Sequence, residues 1–316
     1  MRAVAVSGFR APAELMELPP PVAGPGELLV EMSAAGINPF DWKIAEGIFE
    51  GKRPHVMPLV LGVDGSGTVT AIGRGVTRFR VGDRVFGQFL HDPVGTGTYA
   101  ELAPVPEGIG ISLIPSGMGV EEAAALPTAG MTALASLDEL SLNPGASLVI
   151  VGASGGVGSF ATELAAARGI RVLAVARAHS AERLRALGAS EILEPEPGAA
   201  LAKIRDQYPA GVDGLVDVMS DRPGFARWAT AVRKGGTAAT TTFVADAASL
   251  GRAGIRGVNI NLQPTGELLG RLAGEVVNHR LPIPLERRVD LGGAATALAE
   301  LKAGRASGKT VVEIQS

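Results

Sequence analysis

Residues 147–158 read SLVIVGASGGVG, an uninterrupted apolar run that passes directly into a glycine-rich turn. Leu148, Val149, Ile150 and Val151 make the kind of run expected for a strand buried on both faces of a parallel sheet. Gly152, Gly155 and Gly158 follow at every third position, with Gly156 between them. A glycine takes positive φ freely and, lacking a Cβ, lets a ligand approach the backbone. From Val157 the apolar positions adopt helical spacing (Val157, Phe160, Ala161, Leu164, Ala165), so the turn opens a helix. Unpaired N–H groups and the positive dipole end at a helix start favour an anion. Strand, glycine turn and helix in this order predict a dinucleotide pyrophosphate on Gly152, Ser154, Gly155, Gly156, Val157 and Gly158.

The next strand, RVLAVA at 171–176, bears on which dinucleotide. An Asp or Glu near its end grips the ribose 2′-OH in NAD-binding folds. Here Ala176 and Arg177 stand there, with Ser180 and Arg183 just downstream. Two guanidiniums and a hydroxyl suit a 2′-phosphate, because Arg pairs bidentately with phosphate oxygens. NADPH is therefore the expected cofactor, with Arg177 the leading contact and Arg183 the second.

With 316 residues and 46% hydrophobic content, the chain suits two domains with sizeable cores. Its 43 glycines and 21 prolines point to many tight turns between regular apolar runs, not to disorder. A net charge of −3 favours neither nucleic acid nor an anionic membrane as partner. No apolar segment reaches the roughly 18 residues that span a bilayer and no cleavable signal is read, so a cytoplasmic protein is expected. The absence of cysteine excludes disulfides, thiolate catalysis and cysteine-ligated zinc. The four histidines (His55, His91, His179, His279) are scattered and never at i, i+4 spacing, so no metal site is expected.

The first third reads as short strands: Arg2–Phe9, Glu14–Leu18, Leu28–Met32 after Gly24-Pro25-Gly26, Gly67–Gly73 followed by Val76–Phe79, and a hairpin corner at Val81–Val85. That pattern suggests a small barrel-like domain. From about Glu121 the grammar changes: Glu121–Ala125 and Met131–Leu140 look helical, and strand–helix alternation runs on to about Thr242. Strands are expected at 147–151, 171–176, 191–193, 214–218 and 237–242, with helices at 157–168, 181–187, 199–208 and 225–233. Such alternation makes a doubly wound parallel sheet. An edge strand at Val258–Leu262, helices near 266–279 and 293–303, and a last strand at Thr310–Ile314 complete the reading. Strand C-terminal ends bind ligands in open α/β sheets, which nominates Val218, Thr240, Thr241, Thr242 and Phe243 as cofactor contacts.

Several segments resemble a known family: PGELLVEMSAAGINPFDWK (25–43), GVDGSGTVTAIGRGVTRFRVGDRVFG (62–87), GTYAELAPVP (97–106), LPTAGMTALASL (126–137), GASGGVG (152–158) and SGKTVVEI (307–314). In order and over nearly the whole chain, they are similar to the zinc-free medium-chain dehydrogenase/reductase superfamily, in its NADPH:quinone reductase (zeta-crystallin-like) branch. The resemblance implies an α/β protein with a GroES-like β-barrel catalytic domain (1–122), a Rossmann NADPH-binding domain (123–256) and a C-terminal segment (257–316) that returns to the catalytic domain. Zinc alcohol dehydrogenases carry Gly-His-Glu where this chain has Gly62-Val63-Asp64, and a cysteine in the region of Asn38-Pro39-Phe40-Asp41. Both of those ligands are missing, which sets aside metal-assisted alcohol oxidation.

The resemblance places Asn38 beside the nicotinamide ribose or carboxamide, Thr132 along the nicotinamide near a helix start, and Lys309 toward the cofactor or the cleft. It further implies a homodimer formed by pairing of nucleotide-binding sheets. A quinone needs no dedicated acid, because water protonates its reduced oxygens readily. Enoyl reductases of the superfamily often carry a tyrosine two residues after the glycine that follows NP-x-D; here Gly47 is followed by Phe49. Asp41, Lys43 or Tyr99 is then left as the candidate proton donor. The expected activity is NADPH-dependent reduction of a small electron acceptor, a quinone or related α,β-unsaturated carbonyl. The alternatives are an enoyl or alkenal reductase, and a catalytically weak NADPH-binding sensor.

Overall fold

The computed structural model describes residues 1–306 and 308–314. They form two compact units, Met1–Met131 with Pro264–Ser316, and Thr132–Gln263. The strand closing the second unit therefore falls before the break, whereas the sequence expectation drew the boundary after residue 256.

In the second unit six strands form one parallel sheet. Their order is Glu191–Leu193, Arg171–Val175, Ser147–Val151, Val212–Asp217, Val232–Thr240 and Arg256–Asn259. The first strand in sequence thus lies centrally, and the sheet is built outward from it on both sides, as doubly wound folds require. All five residues of Ser147–Val151 are buried, the apolar run Leu148–Val151 by its character and Ser147 with its N–H and hydroxyl donated to Asp213. The helix Gly156–Ala167 buries a continuous run from Gly158 to Ala165. The edge strand spans Arg256–Asn259, two residues earlier than expected from VNINL. Its ladder ends where the Ile260 N–H bonds the Thr240 carbonyl, at 2.8 Å. Apolar content alone placed the expected strand too far along the chain.

The first unit is the GroES-like fold. Its long central strand, Glu27–Gly36, pairs antiparallel with Asp64–Ile72, Leu102–Pro106 and Lys309–Glu313. The C-terminal strand is in this way sewn into the N-terminal sheet. A second sheet holds Ala13–Glu17, Arg2–Val6, His55–Val60 and Val94–Thr96. Val4, Leu28, Val30, Met32, Leu61, Val85 and Ile111 fill the interior.

Three departures from the sequence expectation have clear causes. Val76–Phe79 forms no strand; the Glu107 carboxylate accepts the N–H groups of Thr77 and Arg78 at 3.0 and 2.8 Å, replacing a ladder. Asn38-Pro39 opens the helix Pro39–Ala45, with proline in the first turn where its missing N–H costs nothing. The strand Leu285–Asp290 (LERRVD) is mostly exposed, so its charged residues erase the alternation that marks a strand.

Candidate functional site

Two constellations carry the chemistry, one in each unit. In the second unit, Gly152 has φ of +82°, and a Cβ on Gly158 would lie 2.2 Å from the Gly152 carbonyl oxygen. Both positions therefore require glycine. The helix makes its first bond from Ser159 N to Gly155 O at 2.9 Å, so Gly156, Val157 and Gly158 present N–H groups with no helical acceptor. Ser154 to Val157 are half-buried between fully buried flanks, which leaves this backbone reachable. The donor set fits a pyrophosphate.

Arg183 reaches across to this loop. Its guanidinium donates to the Ser154 carbonyl at 2.8 Å and to Ser159 Oγ at 2.9 Å, and Ser159 Oγ donates to the Ala153 carbonyl. At the neighbouring strand ends, Asp217 is fully buried and accepts the N–H groups of Met219 and Ser220 on one carboxylate oxygen. The Thr240 and Thr242 hydroxyls bond each other at 2.9 Å, and Thr242 Oγ1 donates to the Ser220 carbonyl.

In the first unit, a buried polar network joins Asn38, Asp41, Asp64, Tyr99, Thr128 and Lys309. Lys309 Nζ donates to Asn38 Oδ1 at 2.6 Å and to the Ile37 carbonyl at 3.1 Å, and lies 3.6 Å from Asp64 Oδ2. The Asn38 amide donates to Asp64 Oδ2 at 2.8 Å and to the Gly36 carbonyl at 3.2 Å. Lys309 needs an acceptor, which fixes the amide orientation. Asp64 further accepts the N–H and hydroxyl of Thr128 at 2.9 and 2.6 Å, so it holds the start of the helix Pro127–Leu140. Asp41 accepts from Tyr99 Oη at 2.6 Å, from Asn38 N at 2.7 Å and from Val63 N at 3.0 Å. Burial pushes Asp41 up to about 7, against the pull of its Tyr99 and Asn38 donors. Burial likewise raises Asp64 and lowers Lys309, each opposed by the charge of the other. Tyr99 is driven well above its ordinary value by burial and then by Asp41.

The sequence matches the Alcohol dehydrogenase GroES-like domain over residues 24–116 and the Zinc-binding dehydrogenase family over 156–263. It is 34% identical to a chloroplast envelope quinone oxidoreductase homolog of Arabidopsis thaliana over 65% of this chain and 64% of that protein, just under two thirds of the relative's length. It is 31% identical to a chloroplastic quinone-oxidoreductase homolog of Spinacia oleracea, over 68% of each. The quinone oxidoreductase of Coxiella burnetii superposes with a TM-score of 0.87 at 26% identity, over 100% of this chain and 99% of that one. The chain belongs to the quinone-oxidoreductase branch of the medium-chain dehydrogenase/reductase superfamily.

Within that family frame, the structure sorts the residues expected from sequence. It brings the glycine-loop residues together, with Val218 Cγ2 2.8 Å from where a Gly152 Cβ would stand. Arg177 is exposed and its guanidinium has no partner among the described residues, so it is available to an anion. Arg183 differs from expectation, because its planar fork is engaged by the loop it braces. Ser180 is 3% exposed, which withdraws its hydroxyl from the surface where a 2′-phosphate would be met.

Asn38 cannot donate to a nicotinamide in this arrangement, because both amide hydrogens are used internally. Lys309 is 2% exposed and braces Asn38 instead of reaching outward. Thr132 lies within the helix, and it is Thr128, one turn earlier, that occupies the helix start. Thr240 is buried with its hydroxyl bonded to Thr242; Thr241 is half-buried, its N–H bonded to the Asp217 carbonyl, and Phe243 is exposed. Lys43 is exposed over the Trp42 ring at 5.7 Å and takes no part in the network. Asp64 and Thr128 were missed as partners; the available signal was a carboxylate set in the otherwise apolar and glycine-rich LGVDGSG. No group of three or more His, Asp or Glu able to hold a metal ion occurs among the described residues.

Proposed function

We propose that this chain is an NADPH-dependent reductase whose acceptor is a quinone. The observation that carries the choice of acceptor is the commitment of every candidate proton donor. Tyr99 is sealed in the core and donates to Asp41, Asp41 is fully buried and already accepts from three donors, and Lys43 lies elsewhere on the surface. A reaction that needs an acid placed at carbon is poorly served by such a site. One whose reduced oxygens take protons from water is not impeded. When bound, NADPH supplies a hydride, and the electron-poor quinone ring accepts it.

This chain's own part is to bind and orient. Gly152–Gly158 would hold the pyrophosphate, Arg183 keeps that loop in shape, and Arg177 would meet a 2′-phosphate. A mycobacterial relative, 26% identical over 99% of this chain with a TM-score of 0.85, was solved in complex with NADPH, which supports the cofactor assignment. A steady-state screen with NADPH against quinones, alkenals and enoyl-thioesters tests the reading. Quinones should give the highest kcat/KM, and faster reduction of an enoyl-thioester would reverse it.

The two arginines should separate. Arg177→Ala is expected to weaken NADPH by roughly one to two decades, about 1–3 kcal/mol, and leave NADH almost unchanged. Arg183→Ala should weaken both cofactors alike, because it loosens the loop that holds their common pyrophosphate. Titration of both cofactors against both variants checks this; equal losses at Arg177 would assign that residue to the fold. The proposed assembly is a homodimer paired through the edge strand Arg256–Asn259. Light scattering at micromolar concentration should return twice the chain mass.

A further inference from the structure

In the first unit, the strand His55–Val60 falls out of register with its neighbour Val94–Thr96. His55 pairs with Val94 and Val60 with Thr96, so four residues of one strand face a single residue of the other. Pro58 stands in that gap and has no N–H to give to a ladder. Beside the broken ladder lies an apolar cavity of about 190 Å³, walled by Pro58 together with Pro19, Pro21 and Pro104. Leu18, Val60 and Leu102 add to its lining, whereas Asn38, Asp41, Asp64, Tyr99 and Lys309 take no part in it.

Thr96 bears the single polar side chain among the described residues of this lining, and its hydroxyl is bonded to His91 Nε2 at 3.1 Å. The same imidazole nitrogen bonds the Pro104 carbonyl at 3.0 Å. The Val60 carbonyl accepts the Gly97 N–H at 3.2 Å, and the Leu18 carbonyl accepts the Met1 amino group at 2.6 Å. A buried water needs roughly two to four polar partners, and these groups are already paired. No charged side chain lines the space, so an ion entering it would lose its hydration for nothing.

The walls are stiff as well. A proline ring fixes φ, so the four prolines cannot swing inward to fill the space. Gly97 is pressed against the neighbouring chain, where a Cβ would lie 2.2 Å from the Leu61 carbonyl oxygen. A space that does not collapse leaves its lining short of van der Waals partners, which a ligand can supply without rearrangement. Two large apolar side chains next to the lining in sequence are exposed, Val22 after Pro21 and Met57 before Pro58. Apolar surface therefore continues outward along both segments.

We propose that this cavity is a binding site for a small uncharged molecule of one apolar ring. A dry apolar cavity of about 150 Å³ accepts benzene, and this one is larger. Gly95, Thr96 and Gly97 also line a cavity of about 20 Å³ that includes Asp41, so the bound ring would share a wall with the buried polar network. The site stands whether or not the chain reduces quinones.

The experiment uses toluene as the probe and benzoate as its charged counterpart. Toluene near its aqueous solubility should raise the thermal midpoint of the wild type by roughly 2–4 °C. Benzoate at the same concentration should not. Leu102→Trp puts an indole into the space and should abolish the toluene shift while NADPH binding stays as in the wild type. If that variant folds poorly, Leu18→Phe narrows the same cavity from another segment and decides instead. A wild type whose midpoint does not respond to toluene overturns the site. A response that persists in a folded filling variant, or that benzoate matches, overturns it too, because the probe then binds elsewhere or by another chemistry.

Discussion

Lys309→Met is expected to destabilise the protein by on the order of 3–5 kcal/mol, the largest effect of any single substitution argued for this chain. The ammonium is 2% exposed and Asp64 is fully buried, with 3.6 Å between Nζ and Oδ2. Removing the cation leaves a carboxylate in the core with its charge uncompensated, and strips Asn38 Oδ1 and the Ile37 carbonyl of their shared donor. The loss arises from the orphaned partner more than from the pair itself. Asp64→Asn introduced into Lys309→Met should therefore recover much of it, since the remaining groups are neutral. Urea denaturation of the two single variants and the double variant measures the coupling. A cost no larger than that of Lys234→Met, at an exposed lysine, would show that the buried pair carries no such energy.

The contrast between the two constellations shows what a sequence can disclose. The glycine loop is contiguous: strand, turn and helix lie within residues 147–167, so local spacing alone declares it. The Asn38 network is assembled across the chain. Its bonds join residues 26 apart for Asn38 and Asp64, 64 for Asp64 and Thr128, and 271 for Asn38 and Lys309. Residue types were legible there: the family resemblance pointed to Asn38 and Lys309, and Asp41 and Tyr99 stood as candidate proton donors in place of the family's missing tyrosine. Their roles were not legible, because a hydrogen bond spent inside the core leaves no mark on spacing. Asn38 and Lys309, which the resemblance sets at the cofactor, bond to each other and to Asp64, Gly36 and Ile37, a use of their polar groups that spacing does not show. Arg183 illustrates the same limit on a smaller scale: the sequence places an arginine near the second strand, and only the fold shows it bracing the loop before it. Phe243 is the reverse case, a residue expected at the ligand edge whose strained backbone the sequence could not announce.

Glu163 should give the protein a stability that declines with rising pH, and Glu163→Gln should abolish that decline. The residue sits on the buried face of the helix Gly156–Ala167, 3% exposed, and neither carboxylate oxygen has a hydrogen-bond partner among the described residues. Burial pushes its pKa from an ordinary 4.5 up to about 8. Between those two values the folded chain retains a proton that the unfolded chain has released, so each rise in pH favours unfolding. The stability linked to this proton is fully present below pH 4.5, falls as pH climbs through about 8, and is then constant at its lowest value. Its total is on the order of 2–5 kcal/mol, the lower figure applying if water reaches the ionised carboxylate. Glutamine has the shape of the neutral acid and does not titrate. Glu163→Gln should therefore match the wild type near pH 4.5 and exceed it increasingly toward pH 9. Asp41, also raised by burial, contributes a similar slope in both proteins and cancels in their difference. Parallel denaturation curves across this range, with no divergence between variant and wild type, would mean that Glu163 is already ionised and solvated inside the folded chain.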